Sequence, residues 1–167
     1  RSPSRGLGDV YKRQELIKNP TLKDINQAVE LLSSLQSCQE SNEFETFPLA
    51  SAACLSGRQI EQQLKSRLDQ LLAENNEKLE NFLNKEFESF VKKMLERATI
   101  FWPNQGFEIE LSKSQQILSP SDFGFHNALK NVNGTIVFLD FEYFGWDDPV
   151  KLLCDFAFHP GMDLSVK

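Results

Sequence analysis

The first apolar pattern in the chain is typical of a capped amphipathic helix. Pro20 precedes Thr21 and Asp24, whose spacing is that of a capping box. The apolar residues that follow recur at helical spacing and share one face, which predicts a helix that buries that face. They are Leu22, Ile25, Val29, Leu32 and Leu35.

Two longer apolar stripes of helical period follow a polar segment. Residues 41–56 include Pro48 and mixed polar residues, which indicates a loop or a short helical piece. The stripes predict helices over 57–73 and 79–98 that face a core, and a two-helix coiled coil is the weaker alternative because the spacing drifts from a strict heptad. The first stripe contains Ile60, Leu64, Leu68 and Leu71; the second contains Leu79, Phe82, Leu83, Phe87, Phe90, Val91, Met94 and Leu95.

The apolar period changes after residue 100. Pro103 ends the helical part, and residues 107–111 then alternate between apolar and polar side chains, as a strand does. A second short apolar run, Ile117 and Leu118, precedes Pro120. The dipeptide Asn133-Gly134 lies between two β-prone stretches and is typical of a two-residue hairpin turn, in which both central residues take positive φ.

A last helix is predicted over residues 149–158. Asp148 has the place of its N-cap and Pro149 that of its first residue. The spacing predicts a buried face of Val150, Leu153, Ala157 and Phe158. The fold class that these patterns favour is α+β, mainly helical over 19–100 and with a small β element over 117–142.

Composition and charge restrict the class of protein. The chain has 167 residues, of which 40% are apolar and 25% charged, as in a single soluble globular domain. Phenylalanine, with 14 residues, predicts cores closed by its rings. The net charge of −6 argues against nucleic acid and anionic membranes as partners. No apolar run has the length of a membrane span, and the chain does not open with the pattern of a signal peptide.

The cysteines indicate a reducing compartment. Cys38, Cys54 and Cys154 are odd in number and lack metal-type spacing. A disulfide framework is therefore not expected, and a cytoplasmic location is the simpler interpretation.

Residues 1–14 differ from the rest of the chain. They are basic, rich in glycine and serine, and without an apolar period, and they resemble a translated sequencing adapter. We therefore interpret them as non-native and base the fold on 15–167. A native disordered arm is the alternative.

The predicted hairpin brings candidate chemistry together. A two-residue turn at Asn133-Gly134 places Asn127 directly opposite Asp140, with Cβ atoms about 5 Å apart. An amide oxygen and a carboxylate at that distance suit Mg²⁺, which prefers oxygen ligands. Asp122, five residues before Asn127, adds a carboxylate that can orient a hydroxyl and accept its proton.

The segments SPSDFGFHNAL and FLDFEYFGWDDPVKLLCDFA carry a family resemblance. They resemble the aminoglycoside phosphotransferase and choline kinase family, whose motifs run approximately H-G-D-x-H-x-x-N and I-D-W/F-E with a later D-P. The resemblance implies the mainly helical C-terminal lobe of a protein-kinase-like fold, in which a β-hairpin carries the catalytic and metal residues. It is specific from residue 117 onward and general before that.

The resemblance implies three central roles. Asp122 would be the catalytic base, Asn127 a metal ligand, and Asp140 the main metal and phosphate-bridging ligand. In the structural alternative, Asp122 only caps a turn, Asn127 begins a strand and Asp140 ends one.

Further residues follow from the same motifs. Glu142 and His126 would contact substrate or phosphate, although a structural role for His126 is equally compatible with its position. Asp155 would support the catalytic loop from the last helix. The chain departs from the family in having Pro120 and Gly124 where the motif has histidines.

The function expected from the resemblance is ATP-dependent phosphorylation of a hydroxyl on a small polar metabolite, such as an aminoglycoside, choline or a sugar, with Mg²⁺ as cofactor. A glycine-rich loop and a strand lysine are missing, so we interpret the chain as a catalytic-lobe fragment without its nucleotide lobe, truncated at both ends and inactive in isolation. The alternatives are a catalytically silent kinase-like module for protein interaction and, last, a plain coiled-coil protein.

Overall fold

The computed structural model describes residues 14–39, 41–74, 76–102 and 106–162. These residues form an α+β fold, as predicted, of helices and two small antiparallel sheets. Of the segment interpreted as non-native, residues 1–13 lie outside the described part, and Gln14 begins the first strand. The helices are α1 (Leu22–Cys38), α2 (Gly57–Leu72), α3 (Glu77–Phe82), α4 (Glu88–Phe101) and α5 (Pro149–Phe158); the strands are β1 (Gln14–Leu16), β2 (Ile117–Ser119), β3 (Ala128–Asn131), β4 (Ile136–Phe138) and β5 (Gly145–Asp147).

The chain divides into two compact units, each described separately. The first unit contains the described residues up to Ala53 and those from Gln116 onward, and the second is Cys54–Gln115. In the first unit, β3 lies between β1 and β4, and β2 pairs with β5. A parallel bridge between Leu49 and Trp146 joins the segment before Ala53 to β5.

Helix α1 begins at the predicted capping box. The Thr21 hydroxyl accepts the N–H of Asp24, and the Asp24 carboxylate accepts the N–H of Thr21 at 2.9 Å, so the capping prediction is confirmed. The predicted buried face is only partly right, because Leu22 and Val29 are exposed while Asp24 and Ala28 are fully buried. Asp24 lies on the buried side of the helix, where the Asp24 carboxylate pairs with Lys130 on β3 at 2.6 Å.

Helix α5 has the predicted bounds, but its predicted buried face is wrong. The Asp148 side chain accepts the N–H of Val150 at 2.7 Å and Pro149 occupies the first turn, which confirms the cap. Phe158 is 80% exposed, and Val150, Leu153 and Ala157 are also exposed. The buried side is formed by Leu152 with Phe156 one turn later. The helix is apolar almost all round, so its periodicity did not determine which side faces the core.

The core of the first unit lies beneath the loop after β2. Phe123 and Phe125 of that loop pack against Phe138 and Phe156, with ring centroids 4.8 to 6.2 Å apart. The expectation of a phenylalanine-sealed core is confirmed here. The buried members are Ala28, Phe123, Phe125, Ala128, Leu152 and Met162.

The β3–β4 hairpin has a register one residue away from the predicted one. Lys130 pairs with Ile136, and the N–H of Leu139 donates to the carbonyl of Asn127 at 2.8 Å. Asn127 therefore lies opposite Leu139, and its predicted direct pairing with Asp140 is wrong. A one-residue shift in register changes which residues face each other.

The turn chemistry explains this register. Gly134 takes φ +81° whereas Asn133 is not left-handed, so the loop has three residues and closes with a left-handed glycine. The Asn131 side chain accepts the N–H groups of Asn133 and Thr135 at 3.0 and 2.9 Å, which stabilises the longer loop.

The second unit is built from helices, as predicted. Ser56 caps α2, Asn76 caps α3, and a π-helical turn, Leu83–Phe87, joins α3 to α4. The prediction that the apolar stripes face a core is only partly right: Leu83 is buried and five other stripe residues are half-buried, but Phe90 is 58% exposed. Five further apolar residues of these helices are also exposed: Ile60, Leu64, Leu71, Phe82 and Met94.

Residues 107–111 do not form a ladder with another described strand. Phe107 is buried against Gly57, and the N–H of Leu111 donates to the carbonyl of Leu55 at 2.8 Å. Ile109, the middle apolar residue of the alternation, is 63% exposed, so the pattern does not correspond to one buried face. Elsewhere the short apolar run predicted after residue 111 forms β2, and Asn42–Phe44 forms a short 3₁₀ turn in the predicted loop region.

None of the described helices combines the length and the apolar character needed to cross a membrane.

Candidate functional site

The loop that follows β2 is held by serine hydrogen bonds. The Ser119 hydroxyl accepts the N–H of Ser121 at 3.0 Å, and the Ser121 hydroxyl donates to the carbonyl of Ser51 at 3.0 Å. Ser121 takes φ +67°, a left-handed conformation that residues with a Cβ rarely adopt. The backbone immediately before Asp122 is therefore both strained and fixed.

Two alternating phenylalanines anchor the same loop in the core of the first unit. Phe123 and Phe125 are buried, and the N–H of Phe125 donates to Sδ of Met162 at 2.8 Å. With these side chains in the core, Asp122 is left exposed and His126 partly exposed. The local sequence thus brings an acid and a histidine to one surface.

Asp122 and Asn127 are joined directly. Nδ2 of Asn127 donates to the carbonyl oxygen of Asp122 and to its carboxylate Oδ2, each at 3.0 Å. The structure therefore brings these two predicted site residues together, and the amide sets the orientation of the carboxylate. Burial alone would raise the pKa of Asp122, but the hydrogen bonds from His126 and Asn127 and electrostatic interactions with His126 and His159 lower it below its usual value.

Both histidines of the sequence lie at the same oxygen of Asp122. Nε2 of His126 is 3.0 Å from Oδ1 of Asp122, and Nε2 of His159 is 3.6 Å from it. The two imidazole rings stack with centroids 3.8 Å apart and planes 11° from parallel. His159 was not predicted as a site residue. Its only sequence signal is its place after α5, directly before Pro160-Gly161.

Gly124 provides space for the ring of His126. A Cβ atom at this position would lie 2.6 Å from Nδ1 of His126 and 2.7 Å from Sδ of Met162. The space that a side chain at this position would occupy is thus filled by the ring of His126 and by Met162. At Gly161 a Cβ atom would lie 3.0 Å from Cβ of His126, so a second glycine borders the stack.

The segment after β4 contributes further acids. Asp140 takes φ +65°, and like Ser121 it is a left-handed residue other than glycine. The pKa of the Tyr143 hydroxyl is raised, mainly by a hydrogen bond to Glu142 and by the charge of that carboxylate. Burial and the charges of Asp140 and Asp122 raise it further. The three carboxylates therefore share the surroundings of one tyrosine, which the sequence did not single out.

Asn127 and Asp140 each have a side-chain oxygen that can act as a ligand. The Asn127 amide uses its nitrogen on Asp122, which leaves its oxygen for another partner. The Asp140 carboxylate is exposed. An amide oxygen and a carboxylate are ligands of the kind that Mg²⁺ prefers. Asp122, His126 and His159 form a second potential set, whose ligand atoms all lie within 4.8 Å of one another.

Asp155 lies on α5, as expected, and its carboxylate forms an ion pair with Lys151. The Lys151 ammonium is 2.7 Å from Asp155 and 3.1 Å from the fully buried Asp147. Burial lowers the pKa of Lys151, but the hydrogen bond to Asp155 and the charges of Asp147 and Asp155 outweigh it and raise the pKa. Asp155 contacts the site through its carbonyl, which accepts the N–H of His159 at 3.1 Å.

Comparison with known proteins identifies no relative. No protein-family model matches the chain, and neither a curated protein nor a solved structure matches it.

Proposed function

We propose that this chain belongs to the catalytic lobe of an ATP-dependent phosphotransferase that acts on a hydroxyl of a small polar metabolite. The observation that carries the proposal is the contact between Asp122 and Asn127, in which one amide binds both the carbonyl and the carboxylate of the acid. Asp122 and Asn127 have the same spacing as the catalytic base and the metal ligand in the family motif that the sequence resembles. A turn-capping role alone would not need the amide to hold the carboxylate.

Asp122 would orient the acceptor hydroxyl and take its proton. Its lowered pKa keeps the carboxylate ionised at neutral pH. A carboxylate of low pKa is a weak base, so proton transfer would come late, as the hydroxyl oxygen bonds to phosphorus. In this proposal His126 is a positioning residue, since its ring is bonded to Asp122, rather than the phosphate contact first expected of it.

Asn127 and Asp140 would hold Mg²⁺ through oxygen atoms, with Glu142 nearby as a substrate or phosphate contact. When bound, the cation neutralises charge on the phosphates of ATP. The left-handed conformations of Ser121 and Asp140 support a functional role, because backbone strain of this kind collects at active sites. Asp155 would act as support through its hydrogen bond to His159.

A second candidate function is a kinase-like module that binds another protein without catalysis. Exposed apolar side chains on the second unit favour it, among them Phe90 and Met94 of α4. A groove of about 590 Å³ in the same unit is lined by residues of α2 and α4, including Leu68, Val91 and Leu95. Apolar surface of this kind is typical of interaction sites.

The test uses the complete reading frame that contains this chain. We expect the purified protein to consume ATP in the presence of Mg²⁺ and one or more hydroxyl acceptors from a panel of amino alcohols, aminoglycosides and sugars. Asp122→Asn should lower kcat by about 10²- to 10⁴-fold, the usual contribution of a positioned base.

Asp69→Asn is the matched control, because this exposed aspartate of α2 lies outside the proposed site. It should leave kcat unchanged. Turnover that survives Asp122→Asn would refute the assignment of the base. A complete protein that binds no nucleotide in the presence of Mg²⁺ would favour the interaction module.

A further inference from the structure

We propose that Asp122, His126 and His159 form a binding site for a divalent ion of the Zn²⁺ class, separate from the oxygen ligands assigned to Mg²⁺. The three side chains come from the loop after β2 and from the residue after α5. Their convergence on one carboxylate oxygen is a property of the fold, because Asp122 and His159 are far apart in sequence.

The spacing between Asp122 and each histidine matches that of two ligands on a tetrahedral ion. Zinc bonds of about 2.0–2.1 Å place two ligand atoms of a tetrahedron about 3.3 Å apart. The distances from Oδ1 of Asp122 to Nε2 of His126 and Nε2 of His159 are 3.0 and 3.6 Å, on either side of that value. Each histidine is therefore at a suitable distance to share an ion with Asp122.

The ligand types determine which ion is bound. Two imidazole nitrogens and one carboxylate suit Zn²⁺ and its neighbours among the transition metals, whereas Mg²⁺ prefers oxygen ligands. Three protein ligands leave a fourth position for water or substrate, as in catalytic rather than structural zinc sites.

The packing of the two histidine rings determines what must change before an ion can bind both of them. Gly124 and Gly161 leave room for the ring of His126, as described above, and the ring is 11° from parallel to that of His159. An imidazole nitrogen binds a metal ion in the plane of its ring, so one of the two stacked rings must turn out of the stack for both to bind the same ion.

Binding also requires a change of tautomer that can be observed. Nδ1 of His159 accepts the N–H of Gly161 at 3.0 Å, so in the free protein the ring proton is on Nε2. A metal on Nε2 moves the proton to Nδ1, which can then no longer accept. The amide proton of Gly161 should therefore lose its hydrogen bond when the site is filled.

The site has a consequence for catalysis that rests on the proposed function. An ion on Oδ1 of Asp122 occupies the carboxylate that would take the proton of the acceptor hydroxyl. Micromolar Zn²⁺ should then inhibit phosphoryl transfer even in the presence of excess Mg²⁺.

The experiment titrates the 167-residue chain with Zn²⁺ in competition with a chromophoric chelator, and with Co²⁺ for its visible spectrum. We expect one site per chain and a Co²⁺ spectrum of tetrahedral intensity. His159→Gln should weaken Zn²⁺ binding at least about tenfold, since even partners of metal ligands have effects of that size. His126→Gln should do the same, and amide NMR should show the shift of Gly161.

Controls separate this site from others. The double variant Cys38→Ser/Cys154→Ser, which removes the two exposed thiols, should retain full affinity. Asp69→Asn should also retain it, because this exposed aspartate lies on α2 in the second unit. Binding that is absent, or that is unchanged in the folded His159→Gln variant, would overturn the proposal. Either result is obtained without nucleotide, so it leaves the phosphotransferase proposal to its own test.

Discussion

Gly124 lies against the imidazole ring of His126, so closely that a side chain at position 124 would overlap the ring. The nearest atoms to an added Cβ are Nδ1 of His126 at 2.6 Å, Cε1 of the same ring at 2.7 Å and Sδ of Met162 at 2.7 Å. The backbone of Gly124 is extended, so the requirement is for space and not for a special conformation.

Gly124→Ala should therefore destabilise the fold and displace His126. Overpacking of a buried position costs about 1–3 kcal/mol, which urea unfolding of the chain can measure. Gly161→Ala is the graded comparison, because its nearest contacts are longer, at 3.0 and 3.1 Å. An equal loss of unfolding free energy in both variants would contradict the importance of the contact with His126.

Asn127 should control the acidity of Asp122. Asn127→Ala removes the hydrogen bond to Oδ2, so the pKa of Asp122 should rise from its lowered value. Titration of the carboxyl carbon by NMR measures the change directly. Asn84→Ala, at an exposed position in the second unit, is the matched control and should leave the pKa of Asp122 unaltered. An unaltered pKa in Asn127→Ala would show that the amide does not stabilise the ionised form.

The pattern of the sequence was sufficient for the local elements. The capping box at Thr21 and Asp24 and the cap at Asp148 followed by Pro149 are governed by hydrogen bonds within a few residues. The helix over Pro149–Phe158 was accordingly predicted with its observed bounds. Local chemistry of this kind does not depend on the rest of the fold.

What the pattern did not determine depends on distant contacts. Residues 150–158 are apolar on nearly every side, so the contact of Leu152 and Phe156 with the core, rather than periodicity, determines the buried face. His159 lies far from Asp122 in the chain, and only the packing of the loop after β2 brings them together. The contact between Asp122 and Asn127 is intermediate between local and distant contacts, because it spans a single turn.

The register of the β3–β4 hairpin can be tested through its loop. Gly134 has a left-handed backbone and Asn133 does not. Gly134→Ala should cost about 1–2 kcal/mol of unfolding free energy, because an alanine is strained at positive φ. Asn133→Ala should stay within about 0.5 kcal/mol of the parent. In the two-residue turn first predicted, both positions would need positive φ, so similar losses from the two substitutions would restore that prediction and the pairing of Asn127 with Asp140.

The ion pair between Asp24 and Lys130 should make the first unit sensitive to acid. Asp24 is 1% exposed and Lys130 is 33% exposed, with Oδ1 and Nζ 2.6 Å apart. Burial raises the pKa of Asp24, but the hydrogen bonds from Lys130 and Thr21 outweigh it and lower the pKa. A carboxyl group whose pKa is lower in the folded state stabilises the fold above its unfolded pKa of about 3.9. That contribution is lost as the pH falls through the lower, folded value.

Removing either partner tests this pair in a different way. Asp24→Asn should reduce the unfolding free energy at pH 7 by about 3 kcal/mol, toward the lower limit for a buried pair because Lys130 reaches solvent. The difference from the parent should disappear at a pH below the folded pKa of Asp24. Lys130→Met keeps the acid and removes its partner, so the pKa of Asp24 should rise and acid unfolding should begin at a higher pH. If acid unfolding of Lys130→Met followed that of the parent, Thr21 alone would account for the lowered pKa.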